Sequence, residues 1–127
     1  MTPAERIARL DAALARSGSP ITLQRISASG GNVSVVASVT CQATTRMNGR
    51  TSAEMGGSVA MTGELVVISP TEIEDAGWTS GRSGSGEEAV PMKGNRVVIG
   101  GRVRSVETAT AVRIQGVIVR IEMTLAG

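Results

Sequence analysis

The chain has 127 residues, 41% of them apolar, and a formal net charge of +2, which suits a single domain with a modest core. It contains no histidine, tyrosine or phenylalanine, one cysteine (Cys41) and one tryptophan (Trp78). These absences exclude a serine–histidine or cysteine–histidine catalytic pair, a histidine or multi-cysteine zinc site and an internal disulfide, and one ring weighs against single-strand binding by stacked aromatics.

The charge balance is close to even. The basic excess is mild and C-terminal: residues 82–127 carry seven basic and four acidic side chains, residues 1–81 six and seven. That is too weak to predict nucleic-acid binding. No run is long and apolar enough to span a membrane, and the N-terminus lacks the basic-then-apolar pattern of a signal peptide, so maturation in the cytoplasm is expected.

In chain order, "MTPAERIARLDAALARSG" predicts a helix over 1–18. Thr2 caps it, Pro3 fits the first helical position, Glu5 completes a capping box and Gly18 supplies the stop. Ile7, Leu10 and Leu14 form a narrow apolar stripe, expected to cover the protein's own barrel ahead of a neighbouring chain. "PITLQRIS" (Pro20–Ser27) predicts a first strand. The next segment alternates, with Val33, Val35, Ala37, Val39, Cys41 and Ala43 on one face. Cys41 therefore reads as a small buried hydrophobe. At about 3.3 Å per residue this strand would run roughly 40 Å, so it either bends near Ala37–Ser38 or projects.

A partner strand is expected within Ser58–Ser69, with Val59, Met61, Leu65 and Val67 on its apolar face. The polar, glycine-rich stretch between the two strands predicts a projecting hairpin or long loop over 44–63. "SPTEIEDAGW" repeats the capping grammar: Ser69 caps, Pro70 opens, Glu72 closes a box and Gly77 ends a short helix. Trp78 then either plugs the end of a barrel or anchors an interface. "TSGRSGSGEE" (Thr79–Glu88) has the composition of a flexible linker. It matches neither a phosphate-binding loop nor a nucleophile elbow.

The last third predicts a three-stranded meander over 95–126. A two-residue turn at Gly100–Gly101 sets Ile99 opposite Arg102, Val98 opposite Val103 and Val97 opposite Arg104. A second turn at Gln115–Gly116 sets Ile114 opposite Val117 and Val112 opposite Val119. Parity then places Val97, Ile99, Val106, Val112, Ile114, Val117, Val119, Ile121, Met123 and Leu125 on one face. Arg102 and Arg104 share that face, and a guanidinium is not buried without a partner. Two arrangements stay open: the hairpin tip overhangs the core to meet solvent, an acidic neighbour or another chain, or a β-bulge turns both arginines outward.

The expected fold is mainly β: a small single-domain β-barrel over 1–127, with an N-terminal helix (1–18), strands with the projecting loop (20–69), a short helix and linker (70–88), and the meander. Three stretches, "MTPAERIARLDAALARSG" with "ITLQRI", "GELVVISPTEIEDAGW" and "VPMKGNRVVIGGRVRSVE", together with the ending "GVIVRIEMTLAG", resemble the small head–tail connector proteins (head-completion or stopper type) of long-tailed bacteriophages and their prophage relatives. Asn95 stands where that family usually has an aspartate, and Gly30–Gly63 is the part the resemblance does not cover.

The resemblance implies a structural protein of the virion neck, made in the host cytoplasm, and not an enzyme. Copies would form a ring, commonly a hexamer, that closes the DNA-filled head. Portal or adaptor protein would lie on one side, and tail terminator or tail-tube protein on the other. DNA would pass without sequence-specific binding, with no membrane, metal or cofactor involved. Arg46, Arg50, Glu54, Trp78, Arg102 and Arg104 are the candidate contact residues, and Glu54, Glu64, Glu87 and Glu88 are candidate acidic partners across subunits. Alternatives are a tail-terminator ring and a monomeric barrel that binds nucleic acid through Arg96, Arg102, Arg104, Arg113 and Arg120. A hydrolase using Glu72 with Glu74 or Glu87 with Glu88 is the weakest, because those acids sit at a helix start and in a linker.

Overall fold

A computed structural model describes residues 1–47, 64–84 and 86–126. Helix α1 spans Pro3–Ser17. Its capping box forms as expected: the Glu5 amide donates to Thr2 Oγ1 (3.2 Å) and the Thr2 amide donates to Glu5 Oε1 (3.1 Å). Gly18 ends the helix in an extended conformation, its N–H donating to Leu14 O at 2.8 Å. Glycine is needed there for space. A Cβ at this position would lie 2.5 Å from Leu14 O and 3.1 Å from Ala43 O.

Six strands follow: β1 (Ser19–Ser29), β2 (Asn32–Met47), β3 (Glu64–Ile68), β4 (Arg96–Ile99), β5 (Arg102–Ile114) and β6 (Val117–Ala126), with helix α2 (Pro70–Ala76) between β3 and β4. All neighbours are antiparallel, and the order β1-β2-β3-β6-β5-β4 closes on itself as a barrel. The interior is aliphatic. Ile21, Leu23, Cys41, Ala43, Val66, Ile68, Val97, Val106, Ile121, Met123 and Leu125 are buried within it, and Ile73, Trp78 and Val90 join the same cluster. Each fully buried large aliphatic side chain contributes about 2 kcal/mol.

The Gly100–Gly101 hairpin has the predicted register, with Ile99↔Arg102, Val98↔Val103 and Val97↔Arg104. Both glycines have positive φ (57° and 80°), as a type I′ turn demands. A second turn of the same kind, at Gly30–Gly31 (φ 58° and 83°), joins β1 to β2.

Register shifts correct the expected single apolar face of the meander. Val106 pairs with Leu125 but Thr108 pairs with Thr124, so Glu107 is a bulged residue. Beyond it Ala109 and Ala111, not Val112, pack on the core. A further shift pairs Val112 with Arg120 and Arg113 with Ile118, so Val119 does not face Val112 as expected. Ile118 and Val119 are both buried while Val117 is exposed.

Strand β3 departs from its predicted face too. Val66 and Ile68 enter the barrel, and Leu65 and Val67 lie half-buried outside, in the cleft that also holds Leu10 and Leu14 of α1. With apolar surroundings on both sides, the strand reads as a continuous apolar run rather than an alternation. Thr44–Met47 belong to β2 and pair with β3, so this part of the expected projecting loop is barrel strand. The rest of that loop, and Val59 and Met61, lie outside the described residues.

Thr79–Glu88 is a hydrogen-bonded loop rather than the free linker its composition predicts. Ser80 N donates to Glu88 O (2.8 Å), and the Arg82 guanidinium donates to Pro91 O (2.8 Å). Buried Asn95 ties the loop down through both ends of its amide: Nδ2 donates to Ser80 O (3.1 Å) and Oδ1 accepts from Met92 N (2.8 Å).

Candidate functional site

The predicted contact residues divide three ways. Arg102 and Arg104 open β5, and Arg104 meets an acidic neighbour within its own chain: its guanidinium lies 3.2 Å from Glu64 of β3, with the two side chains 11% and 12% exposed. Glu64 sits beside Arg46 along the chain's own β2–β3 pairing, where Arg46 faces Leu65 and Glu64 faces Met47. Arg46 and Arg102 are exposed. The bulge at Glu107 lies beyond both β5 arginines, so it does not turn them outward. Arg50 and Glu54 lie outside the described residues.

Trp78, a candidate contact residue, is a core residue: it is 4% exposed and packed within the main cluster. The left-handed cap at Gly77 (φ 67°) ends α2 and turns the chain inward, so the indole plugs the barrel instead of reaching a partner. Its Nε1–H finds no hydrogen-bond partner among the described residues.

Of the acidic residues expected to pair across subunits, Glu64 and Glu87 pair within the chain, Glu87 with Arg113 at 2.6 Å. Glu88 is exposed, and Glu54 lies outside the described residues. Glu122 pairs with Arg120. Glu72 closes no capping box. Its Oε1 accepts from the Gln42 amide of β2 (3.0 Å), pinning α2 to the sheet, while Ser69 caps the helix by accepting from Thr71 N (3.2 Å). Ion pairs thus occupy Arg104, Arg113 and Arg120 of the five arginines on which a nucleic-acid surface would rest. Cys41 faces the core, and burial, with Glu72 nearby, raises its thiol to a pKa of about 12. A thiol held protonated in this way is a poor nucleophile.

The most distinctive exposed feature was not among the predicted sites. Strand β4 pairs with β1 only over Thr22–Gln24, and β3 pairs with β2 only over Ala43–Met47. Residues from Arg25 to Ala37 therefore pair only with one another, as a two-stranded ribbon ending at Gly30–Gly31. A register shift between Arg25 and Ile26 leaves Val36 unpaired, and Val33, Val35 and Val36 are 50–55% exposed. From Ile26 to Thr45 the sequence holds no Asp, Glu, Lys, Arg or Pro. Natural edge strands are protected by those residues, and a bare β-branched edge is a template for another chain. Covering three half-exposed valines would contribute about 3 kcal/mol.

No protein-family model matches the chain, and no curated protein matches it in sequence.

Proposed function

We propose that this chain is a structural neck protein of a long-tailed bacteriophage or prophage, a stopper-type head–tail connector whose copies form a ring between the portal side of the head and the tail. The observation that carries this reading is the β1–β2 ribbon. Its valines are exposed, its edges are unpaired and its sequence carries no charge beyond Arg25 at its base, which is the chemistry of a surface completed by a second copy. A closed barrel with a plugged interior supplies a rigid body for such a ring. The ordered motifs that resemble the connector family fall on α1, the β3–α2 junction and the β4–β5 hairpin.

Within this reading the ribbon of one subunit lies against its neighbour. The neutral ribbon makes a non-specific grip on passing DNA weak, because DNA affinity rests on basic side chains. The test is electron microscopy of lysates from the virus that carries this gene, with the gene disrupted. Filled or leaking heads beside separate, finished tails are expected. Tails of irregular length would assign the terminator role instead, and normal infectious particles would end the reading.

A further inference from the structure

We propose that the groove beneath α1 is a docking site for an acidic peptide segment of a partner protein, one that carries apolar side chains between its carboxylates. This does not rest on the neck assignment. Helix α1 makes its main contacts with β2, β6 and α2, while β3 lies between β2 and β6 in the barrel. The helix therefore bridges β3 and leaves a cavity of about 610 Å³ floored by Leu65 and Val67 and walled by Leu10 and Leu14. A second cleft of about 300 Å³, floored by Val112 and Val119, shares Leu10 and Arg120 with it, so the two form one groove along the helix. A helix of 15 residues is about 22 Å long, room for about seven residues of extended peptide.

The rim fixes the sign of the occupant. Arg6, Arg9, Arg46 and Arg120 line the groove against a single acid, Glu122, which is already paired with Arg120. Arg6, Arg9 and Arg46 make no ion pair among the described residues, and all three are exposed. Between them Leu10, Leu65, Val67 and Val112 stay half-buried, committed neither to the core nor to solvent. Basic side chains around an apolar floor match carboxylates that alternate with apolar side chains. A nucleic-acid backbone would satisfy the arginines but leave the apolar floor uncovered, and the one aromatic ring available for stacking on bases is buried in the core.

The test is fluorescence anisotropy with a labelled peptide of about seven residues alternating glutamate with leucine. A lysine–leucine peptide and a short DNA duplex serve as competitors at the same salt. The wild-type chain should bind the acidic peptide, less tightly as salt rises. The Arg6→Glu/Arg9→Glu/Arg46→Glu variant should lose about tenfold in affinity for it and gain binding to the lysine–leucine peptide. That gain cannot come from misfolding. Backbone amide shifts on adding the acidic peptide should map to α1 and β3. No binding at low salt, equal affinity for both peptides, an unaffected variant, tighter binding of the duplex, or shifts confined to other elements would each overturn the proposal.

Discussion

Asn95→Asp replaces a buried amide by an isosteric carboxyl, and the structure sets the cost. Asn95 is 4% exposed. Its Oδ1 accepts from Met92 N, and a carboxylate keeps that bond. Its Nδ2 donates to Ser80 O at 3.1 Å, and a carboxylate there turns a donor into a second acceptor facing a carbonyl. The unpaired carbonyl costs about 1–3 kcal/mol and the buried charge adds to it, so the variant should lose about 3 kcal/mol at neutral pH. With a slope of about 1.5 kcal/mol per molar, the urea midpoint should fall by about 2 M. Burial raises the folded pKa of the new carboxyl above its unfolded value. As pH falls through that raised value the folded state takes up the proton first, a neutral carboxyl can donate to Ser80 O, and the gap to wild type narrows by at most about 1.4 kcal/mol per pH unit. Asn95→Leu removes both bonds without adding charge, so its deficit should not vary with pH in this way. Urea titrations of the three proteins between pH 4 and 8 read this directly. A loss below about 1 kcal/mol for Asn95→Asp, or a deficit that is flat with pH, would refute the assignment of Asn95 as the donor that fixes the loop.

Other expectations follow from particular contacts. Glu64→Leu should cost about 2 kcal/mol by leaving Arg104 nearly buried without its partner, while the double change Glu64→Leu/Arg104→Met should recover most of it; a double-mutant cycle with Arg104→Met by chemical unfolding checks this. Cys41 should resist a disulfide reagent at pH 8 in the native state and react only at the rate of opening, since its thiol sits at about 12. The same raised thiol lowers stability as pH rises above 9.0, the ordinary value the unfolded chain regains, toward 12. Glu5, held below its ordinary 4.5 by the Thr2 backbone and side-chain hydrogen bonds, supports α1 above that pH, and the support fades as pH falls through its lowered value. Helical signal lost on acidification of the wild type, and not of Glu5→Gln, would show it.

Much of the fold was legible because local chemistry decided it. The Thr2 box, the Ser69–Pro70 start and the Gly100–Gly101 register were each specified by residues a few positions apart. The bulges at Val36, Glu107 and Val119 carry no comparable mark, so the parity of β5 and β6 was extended one step too far. Gly30–Gly31 makes the same turn as Gly100–Gly101, but Ser27–Ser29 precede it where Val97–Ile99 precede the other. The Arg104–Glu64 pair was half visible. Inward parity demanded a partner for Arg104, yet β3 was expected to turn Leu65 inward, which hid Glu64. Glu72 followed a tertiary contact with Gln42 over its local capping option. The groove beneath α1 depends on how the helix crosses β3, a packing choice no spacing in α1 encodes.

The central claim is that this chain joins heads to tails through its uncharged ribbon. The most direct test is complementation in vitro: lysate of the gene-disrupted virus, holding unjoined heads and tails, is mixed with purified chain and assayed for infectious particles. The account predicts that wild-type chain restores infectivity and that a folded Val35→Lys/Val36→Lys variant does not, because lysines on the ribbon block its cover by a neighbour. Full restoration by that variant, or none by the wild type, would contradict it.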